Sequence, residues 1–546
     1  MKHFPLMFGM ILFMFFSCGK TVSRPTISEQ RQLTVSTTQN PHNTPNVIPT
    51  IVSLIDTIVP ANAVSVKKYG ALGDGVHDDA SSIQAALNSE SVVFLPPGIY
   101  SINNTLNMRP GVKLYGTGGA TIKSGDNMQG TLLSMGRYIY ISNANNSLIT
   151  NIRFQQSAQA FNLGQWANSC IYIINCKGTT ICYNSFDFNL PYSKTGLEGI
   201  WVSGELSENT LIKGNKLTSV GIEYAENGAN STTVDDNYIT HAANDGLSSH
   251  GNSSIYCTKH IVSNNIIENS GLMGIEDWGK VDGTLIDNNT ITGVGKDPTQ
   301  ASNGIGISAV GINSKVVNNK ITDAPVYYIE SGGTNIIDSN IINDTRGKAI
   351  GIIGNFTALP SATVIAMRNS NVMHIAGNVI TGCLRSIVIF GNYSPNVNIL
   401  SNSITNPVFI GINVDSAAPL YTINVSDNKI SFTIPNKQIR KAFESYTSLN
   451  HTGVQNINLD NNIVTYDVTA GGGKGLEYGF EIGTDNLVLN NNQVYGNNIR
   501  ANKQPVYAIS GNTNPVYSIT LTNNMVYGAI VNLKDFTIKT KSGNNF

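Results

Sequence analysis

The sequence predicts an all-β chain wound as a single-stranded, right-handed parallel β-helix with a short capping helix at its N-terminal end. Three observations carry that expectation. Over 546 residues, 52 glycines, an excess of Asn, Ser and Thr, and abundant Ile and Val favour short strands joined by tight polar turns. An asparagine followed by a small apolar run returns at Asn215, Asn237, Asn265, Asn289, Asn319 and Asn340, at intervals of 22, 28, 24, 30 and 21 residues. It continues at Asn378, Asn402, Asn428, Asn462, Asn492 and Asn524. Glycine-started segments followed by an aliphatic residue recur between 199 and 333. Each interval suits one coil of a solenoid, with unequal turns protruding between short strands. A strand of about five residues cannot bury its apolar face alone, whereas coils stacked at roughly 4.8 Å bury a continuous Ile/Val/Leu column and pair every ladder hydrogen bond. Asn tolerates the left-handed geometry of such turns, and stacked side-chain amides bond along the axis. A leucine-rich horseshoe would need a periodic Leu-x-x-Leu-x-Leu pattern and helices, and neither is visible.

The N-terminus reads differently. Residues 1–18 run from Lys2 and His3 through an apolar stretch, Phe4 to Phe16, to Ser17-Cys18-Gly19. That stretch is too short for a stable membrane span and sits where a secretory hydrophobic region belongs. The end FFSCGK resembles a lipobox, so Cys18 is the expected lipidation site of an exported protein anchored to a bacterial membrane, periplasmic or at the cell surface. Residues 19–62, rich in Thr, Ser, Pro and Asn, read as a flexible tether, and 63–546 as the β-helix domain. A net charge of −1 with 13% charged residues supplies no global field toward nucleic acid or a membrane surface, so contact with membrane is expected through the lipid alone. Cys170, Cys176, Cys182, Cys257 and Cys383 match no zinc spacing and read as buried free thiols, with a disulfide left open by export.

Residues 64–122 contain VSVKKYGALGDGVHDDASSIQAALNS and then VVFLPPGIYSINNTLNMRPGVKLYGTGGATI. This resembles the N-terminal segment of the pectate-lyase-like β-helix superfamily, which includes polygalacturonases, rhamnogalacturonases and phage tailspikes. The match rests on the GDG turn, the acidic pair Asp78-Asp79, a helix from about Ala80 to Leu87, and VVFLPPGIY; Asp78 or Asp79 is placed to cap that helix and so to help close the open end of the core. The resemblance implies the fold and a carbohydrate substrate. It carries over no catalytic residue: the ordered Asn-Thr-Asp, Asp-Asp, Gly-His-Gly and Arg-Ile-Lys of polygalacturonases and the Asp-Pro-His of mannuronan epimerases do not occur in the central coils.

A candidate site follows instead from coil register. With the segments beginning at Gly199, Gly221, Gly246, Gly274 and Gly304, and that at Tyr328, aligned, the residue after the anchor points inward and the next outward. The outward position reads Trp201, Glu223, Ser248, Glu276, Gly306 and Glu330; two residues on it reads Ser203, Ala225, His250, Trp278 and Ser308. Glu226, Asp245, Asp277 and Lys280 lie at the margins. Exposed strand faces of solenoids are ordinarily Thr, Ser, Asn and Lys, so carboxylates, an imidazole and two of the chain's three Trp on one face point to chemistry.

Three functions fit this face. The leading one is hydrolysis of a polysaccharide by paired carboxylates, Glu223 with Glu276 or Glu276 with Asp277, assisted by His250; Trp201 and Trp278 would hold the sugar, with Glu226, Asp245, Lys280 and Glu330 as further contacts. It requires no cofactor. A lyase or epimerase would need a Lys, His or Tyr base beside a neutralising cation; Lys280, Lys194 and Tyr224 are the nearby options, and Glu223, Glu226, Glu276 and Asp277 would then ligate Ca²⁺. The third is a non-catalytic glycan-binding surface protein, which a tether and lipid anchor suit equally well.

Overall fold

The computed structural model describes residues 59–546 apart from 127, 129–135, 158–167, 193–196, 252–254, 301–302, 333–334, 356–371, 392–395, 417–420, 435–438, 447–454, 467–476, 483–485, 497–505, 512–515, 528 and 532–535. Cys18, the apolar leader, nearly all of the tether and Lys194 lie outside the described residues.

The described chain is a parallel β-helix. Each coil contributes one short strand to each of three sheets, and every strand-to-strand ladder is parallel to the next coil. The first sheet runs from Val64–Ser65 to Phe536–Ser542, the second from Asp74–Asp78 to Met525–Tyr527, and the third from Leu106–Met108 to Ile530–Val531. The coil around residue 215 shows the pattern: Leu211–Lys213 in the first sheet, Lys216–Thr218 in the second, Ile222–Glu226 in the third. One inward aliphatic per strand stacks on its counterpart in the next coil, as in Ile139, Ile171, Ile200, Ile222, Leu247, Ile275 and Ile307, all buried. The right-handed sense is the one favoured for crossovers between parallel strands.

The asparagine repeat is a buried amide ladder at the turn between the first and second sheets. It runs unbroken from Asn184 through every predicted asparagine to Asn544. At each step the backbone N–H and the side-chain Nδ2 donate to Oδ1 of the next asparagine, as Asn265 does to Asn289 at 2.9 Å and 2.9 Å. Nδ2 also reaches a carbonyl of the preceding coil, for Asn265 that of Val234 at 2.9 Å. The left-handed residue is not the ladder asparagine itself but the one before it: Asp236, Asn264, Asn288 and Asn318 have φ of 57°, 57°, 55° and 57°. The doublets NN, DN and SN thus combine a strained turn residue and a buried amide, two separate jobs.

The N-terminal helix spans Ala80–Ser89, two residues longer than predicted, and its Ile83, Ala86 and Leu87 join the same core as Leu106 and Met108. Asp78 accepts from the N–H of Ala80 at 3.1 Å, while Asp79 is turned to the N–H groups of Leu72 and Gly73 at 2.7 Å and 3.0 Å. Both acids are therefore engaged structurally. The cysteines 170, 176, 182, 257 and 383 are free.

Candidate active site

The third sheet lines up the residues that the glycine alignment singled out. One outward column reads Tyr140, Tyr172, Trp201, Glu223, Ser248, Glu276, Ser308 and Glu330 on successive coils. On the Ile305–Ala309 strand the position belongs to Ser308 and not Gly306, because Ile307 is the residue that pairs with Ile275. The sequence Gly-Ile-Gly-Ile offers two equivalent anchors, and packing selects the second.

The neighbouring column reads Ser203, Glu226, His250 and Trp278. Here Glu226 replaces the expected Ala225, through a β-bulge in Ile222–Glu226: Glu223 faces Ser248, Ala225 faces Ser249 and Glu226 faces His250. Its cause lies inside the coil. Tyr224 and Ala225 are both fully buried, and the Tyr224 hydroxyl donates to Asp277 Oδ1 at 3.0 Å. The bulge spends one extra residue inward and so moves Glu226 from the margin into the wall.

His250 is the centre of the cluster. Its Nδ1 lies 2.7 Å from Glu223 Oε2 and its Nε2 3.0 Å from Glu276 Oε2, and its backbone N–H donates to Glu223 Oε1 at 3.0 Å. Ser248 Oγ adds a donor to Glu223 Oε2 at 2.8 Å. Burial opposes a charge on the ring, but the two carboxylates, Glu223 foremost, outweigh it and push His250 up to about 12. The ring is an imidazolium donating from both nitrogens. It fills the space between Glu223 and Glu276, which an inverting acid and base would keep for water. Glu223 is buried with both oxygens occupied, so it holds His250 and is not available to a substrate.

Other acids crowd this imidazolium. Glu226 is raised above the ordinary carboxylate range, first by burial and then by Glu223. Both side-chain hydrogen bonds on its carboxyl, from Trp201 Nε1 at 3.1 Å and Ser203 Oγ at 3.0 Å, fall on Oε2, and Oε1 has none among the described residues. Asp245, buried and accepting the Met273 N–H at 2.8 Å, is raised to about 8 by burial and by Glu276. Glu198, which the glycine alignment passed over, is buried and raised well above the normal range by burial, then Glu223 and Asp245. A usable signal was present: Glu198 precedes Gly199 as Asp245 precedes Gly246.

Three predicted contributors are corrected. Asp277 is fully buried inside the coil, where hydroxyls of Ser249, Tyr224 and Thr284 bond its Oδ1 and Ser314 its Oδ2. Strand alternation sends it opposite to Glu276, so it takes no part in the wall, and Tyr224 is likewise internal. Trp201 is 5% exposed, packed against Tyr172 with ring centroids 6.0 Å apart, and offers no open sugar platform. Trp278, beside His250, is 52% exposed and does. Lys280 lies beyond Gly279, its ammonium 5.6 Å from the Tyr256 ring centroid. Glu330, two coils past Glu276, accepts from Ser308 Oγ at 3.1 Å. Among the described residues no group of His, Cys, Asp and Glu has metal-site geometry.

Fold and face together define a parallel β-helix with an acidic, imidazolium-centred wall on one sheet. Residues 63–305 match a family profile described as rhamnogalacturonase A/epimerase, pectate lyase-like, which extends the resemblance of residues 64–122 across the whole acid cluster. Curated relatives match over short stretches: a glucan 1,3-beta-glucosidase of Cochliobolus carbonum, 34% identical over 65 residues, and plasmin and fibronectin-binding protein A of Streptococcus pneumoniae, 36% over 73. These cover 11% and 12% of this chain and 8% and 10% of those proteins. Among solved structures, an exopolygalacturonase from Thermotoga maritima aligns at 11% identity over 72% of this chain and 91% of its own, with a TM-score of 0.39. The N-terminal fragment of bacteriophage Phi29 gene product 12 aligns at 13% over 88% and 92%, with a TM-score of 0.41.

Proposed function

We propose that this protein cleaves a polysaccharide by hydrolysis on the outer face of the third sheet, with Glu226 as proton donor and Glu276 as the base that activates water. The observation that carries the reading is the separation of roles around His250: one carboxyl whose hold on a proton is strengthened by burial, another held through Oε2 by an imidazolium, its Oε1 without a hydrogen bond among the described residues. Such opposed environments are how paired carboxylates become acid and base. Glu226 and Glu276 lie two coils apart and one column over, a backbone separation of roughly 12 Å that side chains can shorten to the span of an inverting pair. Water would add to the anomeric carbon as Glu276 takes its proton, while Glu226 Oε1 protonates the departing glycosidic oxygen. Glu223 and His250 position Glu276, and Trp278 offers a flat apolar surface to a sugar ring.

The profile match supports a carbohydrate substrate, since residues 63–305 include every member of the cluster. We further propose that the chain works outside the cytoplasm on a lipid anchor at Cys18, and that calcium is not required. The test is reducing-end release from a panel of acidic and neutral glycans by wild type, Glu226→Gln and Glu276→Gln. Loss of about 100-fold or more in each variant is expected; full activity in either removes that residue from the mechanism, and an unsaturated, ultraviolet-absorbing product or inhibition by EDTA would indicate a lyase. A second reading, glycan binding without cleavage, is favoured by the closed Glu223–His250–Glu276 network, and binding by wild type with no product from any glycan would establish it.

A further inference from the structure

Upstream of the acid cluster, the same sheet carries three successive coils whose buried polar atoms lack partners. Arg137, Ser169 and Glu198 occupy one register position on adjacent strands. Among the described residues, Arg137 Nε, Ser169 Oγ and Glu198 Oε2 are buried without a hydrogen bond. Ser169 is 0% and Glu198 9% exposed. Native proteins leave few such atoms; Ser169 and Glu198 are closed to solvent, whereas Arg137 is partly exposed and is the one of the three that a ligand can reach.

The guanidinium is also held in place. It lies 3.8 Å from the ring centroid of Tyr172 and 4.9 Å from that of Tyr140, flat aromatic surfaces that fix its plane and leave its N–H edge to a ligand. No carboxylate pairs with it among the described residues. The later cations at the same strand position behave otherwise: Arg385 donates to Asn413 Oδ1 at 3.0 Å, and Lys441 is bonded to both Glu444 and Glu481. There the cation meets a side-chain acceptor, whereas among the described residues the Arg137 guanidinium is held by the Tyr140 and Tyr172 rings alone.

From this we infer that Arg137 is a subsite for an anionic substituent of the glycan, a uronate carboxylate or an ester sulfate bound by its guanidinium fork over the Tyr140 and Tyr172 rings. It deepens the proposed reading, on which it rests for a glycan crossing the sheet obliquely. Three strand spacings and five residues along the strand, roughly 22 Å in all, separate Arg137 from Glu226, a span that one extended chain of several sugars would cover.

The test measures binding rather than cleavage. Affinity electrophoresis compares polygalacturonate with its carboxyl-reduced form, and dextran sulfate with dextran, for wild type, Arg137→Gln and Arg137→Lys. Wild type is expected to prefer one acidic polymer over its neutral counterpart by about 10-fold or more, Arg137→Gln to lose that preference, and Arg137→Lys, which keeps charge without the planar fork, to retain part of it. The lysine variant also covers the case in which the glutamine variant does not fold. Preference for polygalacturonate alone assigns a carboxylate, and for dextran sulfate alone a sulfate. An unchanged preference in Arg137→Gln, or none in wild type, overturns the subsite. Cleavage of a neutral glycan with no acid preference would leave the hydrolytic reading standing, whereas an Arg137-dependent preference without any cleavage would keep the subsite and remove the hydrolase.

Discussion

Replacing Asn289 by alanine strikes the amide ladder in the coil that follows the one carrying Glu276. Its Nδ2 donates to Asn319 Oδ1 at 3.0 Å, to the Val262 carbonyl at 2.9 Å and to the Asp287 carbonyl at 3.2 Å; its Oδ1 accepts the backbone and side-chain N–H groups of Asn265, each at 2.9 Å. Alanine removes all five bonds and leaves the Asn265 donors and the Val262 carbonyl buried without partners. At about 1 kcal/mol per net bond, and more for each orphaned group, the expected cost is about 3–5 kcal/mol. Because each coil touches only its neighbours, the loss is concentrated locally. Hydrogen exchange read peptide by peptide is the suitable assay: strands Ile261–Ser263, Leu285–Asp287 and Lys315–Val317 are expected to lose protection, while coils beyond Asn402 change little. The control is Asn288→Gly. Asn288 has φ 55° and is exposed, so glycine relieves backbone strain and forfeits only the contact to Asn264 Oδ1; a change of a few tenths of a kcal/mol is expected. If Asn289→Ala exchanges like wild type, or Asn288→Gly is as damaging, the separation of ladder from turn residue is wrong.

Other perturbations address the acid wall. Activity is expected to fall on the alkaline side as Glu226 loses its proton above its raised pKa, with no limb near the ordinary histidine range because His250 stays charged to about 12; a rate profile that bends with a free imidazole contradicts this. Asp245 holds a proton in the folded state up to about 8, against 3.8 when unfolded. Its contribution to stability is present below about 3.8 and lost as pH rises through about 8, so Asp245→Asn is expected to melt progressively higher than wild type as pH is raised across that window. Equal pH dependence in the two proteins would count against the buried, proton-holding Asp245. Trp278→Ala is expected to raise KM at least several-fold with little change in kcat, and an unaltered KM would remove the platform. Radiolabelled palmitate incorporation is expected to vanish in Cys18→Ala, and labelling that persists would exclude the anchor.

The ladder asparagines from Asn215 to Asn524 and the inward Ile and Leu after each anchor were legible because solenoid stacking imposes a period on the chain. Glu223, His250, Glu276, Trp278 and Glu330 were placed on the correct wall for the same reason: once a coil is indexed by one glycine, alternation orders the rest of its strand. Errors arose where that indexing is locally ambiguous or interrupted. Gly306 was mistaken for an outward residue because two glycines compete as anchors. Glu226 sits in the wall and not at its margin because of a bulge that depends on the burial of Tyr224, which periodicity does not reveal. Arg137, Tyr140 and Tyr172 were missed because their coils carry Tyr138 and Cys170 where later ones have glycine.

What the sequence alone determined, then, is the winding: strands too short to bury themselves must stack, and a recurring amide marks each turn. Which carboxyls keep their protons, that His250 is clamped between two acids, that Trp201 is covered and that Asp277 faces inward were decided only by the tertiary structure. The physical reason is that register follows from short-range period, whereas pKa, exposure and partnership come from side chains brought together across coils 20 to 30 residues apart.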